Sequence, residues 1–465
     1  ARHLLSQQIK CNIILIGEPS KIRTEHAKRN WEILNNLLLN IKILIIQDSS
    51  EFSESNNKLM ELLNECYLIV DCLLGTGVYG KIREPVRSAI QFINLIKDNK
   101  IKINNTNETP KIVAIDVPSG MDPDTGEVSD ICINSDLLIT FHREKIGFFK
   151  SKIKIPEIIV NPIGIPLESD LFIGSGDLKF NMKPRKLDNH KGQHGKVLII
   201  GGSEQYSGAP SLAALAALEM DVDLVIAYVP NSIVNVVRSF SPNLIVREGK
   251  SKNISEEDIP NLNELIEWAD SVVLGPGIGL AQETIMAFEG ILNILQKTQK
   301  PTVIDADGIK IVANYKNILK KIKAVITPHE GEFNILTGTK LPPQTQFLER
   351  AKILELVAMN YGVTFLVKGR YDFISNANQT RINKTGVPEM AVGGTGDILA
   401  GILGALLSFK IDEFNAACVA AYISGKLGEE YKYLYGKLNT ENILKKTFKS
   451  SDLLKMIPHV ISKYL

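Results

Sequence analysis

Residues 390–404 read MAVGGTGDILAGILG, in which Gly393, Gly394, Gly396 and Gly401 surround Thr395 and Asp397. Glycines let successive backbone N–H groups converge on one anion, and the start of the small-residue helix that must follow adds partial positive charge. An aspartate in such a turn is suited to take a proton from a hydroxyl. The N–H groups would meanwhile hold the charge developing on a transferring phosphoryl group. A bare Gly-x-Gly-Asp is more often a turn with Asp as helix cap. Four glycines and an apolar helix tip this one toward chemistry, with Asp397 as base.

Further loops follow apolar runs in the same half of the chain. Residues 197–210 (VLIIGGSEQYSGAP) give a strand, a Gly-Gly turn and a helix that carries Ala213, Ala214, Ala216 and Ala217. Those alanines suit either close approach of a bulky ligand or tight helix–sheet packing, in even balance. Residues 272–279 (VVLGPGIG), 303–307 (VIDAD) and 325–332 (VITPHEGE) each end an apolar run in glycine or polar residues. His329-Glu330 hints at a zinc helix, but Phe333 breaks the HExxH spacing. Residues 365–375 (FLVKGRYDFIS) offer a Lys-Gly turn fit for nucleotide phosphates.

The first third holds two more candidates. Residues 70–85 (VDCLLGTGVYGKIREP) place Asp71 at the end of an apolar run before a Gly-Thr-Gly turn. Residues 112–126 (IVAIDVPSGMDPDTG) place Asp116 before a Pro-Ser-Gly loop. Two carboxylates at strand ends could share a ligand at the sheet's carboxyl edge, or could simply cap turns.

These loops need a scaffold, and the apolar runs supply one. Strands are expected at 12–17, 42–46, 68–70, 112–116 and 137–141. Further strands are expected at 197–202, 224–229, 271–274, 302–305, 324–327 and 364–368. Continuous rather than alternating apolar runs, separated by helical stretches, predict parallel strands buried on both faces in an α/β architecture. The stretch 166–190 lacks a sustained period and reads as the join between two α/β domains, 1–170 and 171–465. Of the 465 residues, 44% are hydrophobic, and Lys plus Arg number 53 against 52 Asp plus Glu. A net charge of +1 lacks the basic footprint of a nucleic-acid binder. No apolar stretch approaches membrane-spanning length. The five cysteines contain no CxxC pair and read as reduced, so a cytoplasmic location is expected.

Taken in order, HKGQHGKVLIIGG, SGAP, GPGIG, VIDAD, TPHEGEF, LVKG and VGGTGDILAG resemble the ribokinase-like fold over residues 185–465. HKGQHG and TPHEGE set the resemblance closer to its NAD(P)H-hydrate dehydratase branch than to sugar kinases. The resemblance implies ADP-dependent dehydration of (S)-NADHX or (S)-NADPHX, the C6 hydrates of the reduced cofactors. Asp397 then matches the family's base, and Gly394, Thr395 and Gly396 its anion hole. Ala209, Gly277 and His329 match hydrate contacts. Lys368, Gly369, Arg370, Tyr371 and Asp372, with Gly396, match the nucleotide site. Glu332 matches a position near a magnesium-bound water.

Residues 1–165, with PIGIP at 162–166, resemble the NAD(P)H-hydrate epimerase domain, which interconverts the R and S hydrates. This implies a Rossmann-like domain with Asp116 as acid/base and Asp71 and Ser119 as potassium ligands. Gly75, Thr76, Gly77, Val78, Tyr79, Gly80 and Lys81 would line the substrate's phosphates. The chain opens on Ala1-Arg2-His3-Leu4 without a Met, and the family's Asn-Asn-Gly-Gly-Asp-Gly loop has no counterpart in it. The expectation is therefore a truncated domain, and a crippled epimerase if 465 residues are the whole molecule. A homo-oligomer is also expected from the resemblance. The competing reading is a ribokinase-like small-molecule kinase with a non-catalytic N-terminal scaffold domain, which would release a stable phosphorylated product.

Overall fold

The computed structural model describes residues 1–37, 39, 41–64, 66–77, 80–103, 109–183, 190, 194–436 and 448–465. Val78 and Tyr79 of the expected phosphate loop lie outside the described residues, as do the centres of the 100–110 loop and of HKGQHG. The chain divides into two compact units, Ala1–Ile165 and Pro166–Leu465.

In the first unit, β1 (Cys11–Ile16) and β2 (Ile41–Ile46) form a parallel pair. A second parallel sheet runs in chain order through β3 (Leu68–Asp71), β4 (Lys111–Ile115), β5 (Leu137–Phe141) and β6 (Ile158–Asn161). The helix Val86–Lys97 places Phe92 and Ile96 in one apolar cluster and Ile90 in another, a period that suits one strand-facing stripe. Strands β3 and β4 both end at the sheet's carboxyl edge, where Asp71 and Asp116 stand.

In the second unit, the strands are β7 (Lys196–Ile200), β8 (Leu224–Val229), β9 (Ile245–Glu248), β10 (Ser271–Leu274), β11 (Thr302–Ile304), β12 (Ala324–Ile326), β13 (Thr364–Val367), β14 (Asp372–Ser375) and β15 (Thr380–Asn383). Among the described residues they form one sheet ordered β15-β14-β13-β12-β11-β10-β7-β8-β9. All pairs are parallel except β13–β14 and β14–β15. Val197 and Ile199 of β7 join one apolar cluster, while Leu198 and Ile200 join another on the opposite face. That alternation makes the sheet the middle layer of an αβα sandwich.

The chain runs outward from β7 through β8 to β9, then returns to β10 on the other side of β7. In an open parallel sheet such a reversal leaves a crevice at the carboxyl ends of the two strands. The helix Thr395–Ser408 is buried from Ile398 to Ser408 and packs on the helix Gly208–Glu219. A Cβ on Gly401 would overlap the Ala213 carbonyl, so the backbones touch. Ala213, Ala214, Ala216 and Ala217 are fully buried in this packing, which decides their role in favour of helix packing over ligand approach.

The stretch 166–190, expected to be an irregular join, contains the short helices Leu167–Leu171 and Ser175–Asn181. Asp177 pairs with Arg381 of β15 at 3.0 Å, and the Arg381 guanidinium also donates to the Phe172 carbonyl. Helices of five and seven residues are too short to display a period, which is why the sequence reads as irregular there. No helix among the described residues is long and apolar enough to cross a membrane.

Candidate active site

The loops after β7 and β10 interlock in the crevice. The Gly202 N–H donates to the Pro276 carbonyl at 2.9 Å. Gly277 has φ +62°, and a Cβ there would lie 2.9 Å from Tyr206 Cβ and 3.1 Å from Ala209 Cβ. Ala209 and Gly277, 68 positions apart in the sequence, are thus neighbours on one wall, with Tyr206 beside them. Only a side-chain-free residue with left-handed freedom fits at 277.

The next two strands supply a buried charge pair. Asp305 follows β11 and is 2% exposed. Its Oδ1 accepts from Lys368 Nζ at 2.8 Å and from Thr327 Oγ1 at 2.7 Å. Burial works against the Lys368 ammonium, yet the Asp305 carboxylate, with Glu332 and Asp397, holds its pKa above the usual lysine range. Lys368 therefore stays charged, aimed at the start of the Thr395 helix. A Cβ on Gly396 would sit 3.4 Å from its Nζ.

Asp397 lies in the first turn of that helix. Burial first, then the nearby Asp305 charge, push its carboxyl up to about 6 despite Lys368. A carboxylate so placed is ionised at neutral pH yet basic enough to accept a hydroxyl proton. Gly394 precedes it at φ +94°, and a Cβ there would press on Ser450 Oγ and Leu212 Cδ1. The Thr395 hydroxyl donates to the Met390 and Val392 carbonyls and so ties the turn down. Backbone donors at the N-terminus, one fixed lysine and one raised carboxylate together can hold a phosphoryl group and deprotonate an alcohol beside it.

The residues from Lys368 to Asp372 form a tight turn between β13 and β14. The Asp372 carboxylate accepts from the Gly369 N–H at 3.1 Å and from Asn383 Nδ2 at 3.0 Å. Burial raises its pKa to about 6 against those bonds and the Lys368 charge. Its side chain is thus committed to closing the turn. Arg370 lies over the Tyr371 ring at 5.5 Å.

His329 caps the helix Glu330–Thr337. Its Nδ1 accepts from the N–H groups of Gly331 and Glu332 at 3.0 and 3.2 Å. Glu332 Oε2 accepts the His329 N–H in return, at 3.0 Å. With Nδ1 an acceptor, the imidazole carries its proton on Nε2, which lies 3.6 Å from Glu332 Oε1, and the side chain is 61% exposed. Glu332 is buried and acts electrostatically on Lys368 and Lys310.

In the first unit, Asp71 and Ser119 come together. Asp71 Oδ1 accepts from Ser119 Oγ at 2.6 Å and Oδ2 from the Ser119 N–H at 2.8 Å. Both residues are 1% exposed. Burial raises the Asp71 pKa against those hydrogen bonds. Asp116, at φ +68°, turns instead to Lys145, whose Nζ lies 2.7 Å from Oδ1. Lys145 also donates to Thr140 Oγ1 and the Phe141 carbonyl. The two carboxylates therefore serve different partners. Ser119 Oγ accepts the Leu74 N–H just before Gly75, and Ser129 Oγ donates to the Gly80 carbonyl. A Cβ on Gly75, Gly77 or Gly80 would meet open space.

Asp305, Thr327 and Lys145 were not singled out from the sequence. VIDAD and TPHEGE mark the ends of β11 and β12, but nothing in them says which side chain turns toward Lys368.

Comparison with known proteins follows this division of the chain. Residues 197–449 match the family described as NAD(P)H-hydrate dehydratase, and residues 1–147 the family described as YjeF-related protein N-terminus. The bifunctional NAD(P)H-hydrate repair enzyme of Methanothermobacter thermautotrophicus is 37% identical, over 99% of this chain and 83% of that protein. Its namesake from Pyrobaculum aerophilum is 36% identical, over 100% and 86%. Among solved structures, a ribokinase-like superfamily protein of Enterococcus faecalis superposes with a TM-score of 0.54 at 24% identity, covering 63% of this chain and 96% of that one. An ADP/ATP-dependent NAD(P)H-hydrate dehydratase of Bacillus subtilis, co-crystallised with ATP and Mg2+, gives 0.51 at 21%, covering 63% and 99%. The ribokinase-like fold of the second unit and the near full-length identity agree: the chain belongs to the family of bifunctional NAD(P)H-hydrate repair enzymes.

Proposed function

We propose that this chain restores NADH and NADPH from their C6 hydrates, with nucleotide-dependent dehydration in the second unit and R/S epimerisation in the first. The observation that carries the dehydratase reading is Asp397, its pKa raised to about 6, beside Lys368 at a glycine-lined helix N-terminus. Hydroxide is a poor leaving group, so the C6 hydroxyl needs activation. Asp397 takes the hydroxyl proton as the oxygen attacks the terminal phosphoryl group of ADP, and AMP departs. Lys368 and the N–H groups of Gly394, Thr395 and Gly396 hold the charge on the transferring group. The ring nitrogen's lone pair then expels phosphate from C6, and loss of a C5 proton regenerates the dihydropyridine. The balance is hydrate plus ADP giving NAD(P)H, AMP and phosphate.

Ala209, Gly277 and the Nε2 edge of His329 form the wall against which the hydrate is read. Lys368 to Asp372 receive the nucleotide, with ADP as the donor proposed. Among the described residues no three His, Cys, Asp or Glu side chains cluster as a metal cage. Magnesium usually arrives on substrate phosphates and takes one or two carboxylates. Glu332 is the residue proposed to hold it, through Oε1, which lies 3.6 Å from His329 Nε2, while Oε2 accepts the His329 N–H. A magnesium ion held there would supply charge neutralisation for the nucleotide's phosphates.

In the first unit, Asp116 is the proposed acid/base at C6, and the Gly75–Lys81 loop the phosphate seat. Asp71 fits a monovalent cation. It is a buried carboxylate that accepts hydrogen bonds from Ser119 and the Leu73 N–H, with no cationic side chain acting on it among the described residues, and the Leu74 carbonyl and Ser119 Oγ are adjacent oxygens. Dehydration is tested by nucleotide-dependent recovery of near-ultraviolet absorbance from purified (S)-hydrate. Accumulation of a stable phosphorylated product instead would favour a kinase.

A further inference from the structure

The nucleotide turn is held in place by a side chain that belongs to neither wall of the site. Gln344 lies in the loop between the helices Glu330–Thr337 and Phe347–Tyr361. Its Oε1 accepts the Tyr371 N–H at 3.2 Å, and its Nε2 donates to Glu330 Oε1 at 3.1 Å. A Cβ on Gly369 would overlap the Gln344 amide, so Gln344 lies directly against the turn.

Glu330 Oε1 also accepts from Arg350 Nη2 at 2.6 Å, and Arg350 Nη1 donates to the Pro342 carbonyl at 2.6 Å. Arg350 is 1% exposed, with its guanidinium 4.9 Å from the Phe373 ring centre on β14. The contacts close a ring from Phe373 through Arg350, Glu330 and Gln344 to Tyr371 and back along the strand. Glu330 is the first residue of the helix that His329 caps, so the ring ties the nucleotide turn to the element that presents His329 to the hydrate.

We infer that Gln344 is a positioning residue for the nucleotide: it latches the turn at Gly369–Tyr371 to the His329-capped helix through Glu330. This rests on the assignment of that turn to the nucleotide. The latch acts on a bound shape that ground and transition states share, so its loss falls on affinity and spares the chemical step.

The test compares Gln344→Leu with the unsubstituted full chain. Mg-ADP binding is measured by calorimetry, and KM and kcat by absorbance recovery. Loss of this hydrogen-bonded link is expected to weaken Mg-ADP binding and raise its KM roughly three- to tenfold, with kcat at saturating nucleotide within about twofold. Gln344→Glu sets two carboxylates together and is expected to weaken binding at least as much. Unchanged affinity in Gln344→Leu, or a fall in kcat at unchanged affinity, overturns the inference. If the unsubstituted chain binds Mg-ADP but does not turn over, the dehydratase reading fails while the shift in affinity still decides the latch. Absence of any nucleotide binding removes both.

Discussion

Replacing Asp397 with Asn should abolish dehydration and at the same time stabilise the second unit. The carboxyl is held at about 6, against an unperturbed value of about 3.9, because burial and the Asp305 charge oppose its ionisation. Two pKa units correspond to about 3 kcal/mol of ionisation cost carried by the folded state at neutral pH. An acid in the first helical turn also gains about 0.5–1 kcal/mol from the helix dipole, which Asn forfeits. The net gain for Asp397→Asn is therefore about 2 kcal/mol, or about 4 °C for a unit of this size. The sign follows from linkage. A raised carboxyl means the folded state binds more protons, so this group's contribution to stability falls as pH rises from about 4 to about 6. The variant's advantage should be near zero at about pH 4 and full above about pH 6.5. The chain has two tryptophans, Trp31 in the first unit and Trp268 in the second. In a Trp31→Phe background, Trp268 fluorescence reads the second unit's transition alone. A variant that is less stable at pH 7.5, or whose gain does not vary with pH, refutes the ionisation argument. Retained turnover refutes the base.

Other outcomes follow from the same geometry. Asp305→Asn removes a charge that raises the Asp397 pKa, so the acid limb of kcat/KM against pH should move below about 6; an unmoved limb would separate the two carboxylates. Gly277→Ala combines a left-handed φ with a Cβ 2.9 Å from Tyr206 Cβ, and should raise the hydrate KM roughly five- to thirtyfold, on the order of the 1–2 kcal/mol strain, with nucleotide KM unchanged; steady-state kinetics with each substrate varied checks this. Asp116→Ala should stop R-to-S conversion, followed by chromatography of the two hydrates, and leave dehydration of pure S hydrate at its full rate. Loss of both activities would sink the division of labour between the units.

The parts of the site that the sequence made legible are those encoded in contiguous residues. The glycine turn at Asp397 announces itself because its donors, its acid and its helix lie within a few positions. The pair Asp305–Lys368 spans 63 positions and exists only once β11, β12 and β13 are placed side by side. Gln344 comes from a loop with no pattern, and its role depends on where Arg350 pins that loop. Among strands, β6, β9, β14 and β15 were not expected, and all but β14 lie at the edge of a sheet. Edge strands such as Ile245–Glu248 bury one face at most, so they lack the continuous apolar run that marks a central parallel strand. The second strand of the hairpin β13–β14 was read only as part of a phosphate turn, because the antiparallel register lies wholly inside FLVKGRYDFIS.

The most direct test of the account is the near-ultraviolet absorbance regained from (S)-NADHX with magnesium and either ADP or ATP, in the unsubstituted chain and in Asp397→Asn. The account predicts recovery that requires nucleotide, releases one phosphate per dihydronicotinamide formed, and is absent in the variant. Recovery without nucleotide, or consumption of nucleotide with no absorbance regained, would contradict it.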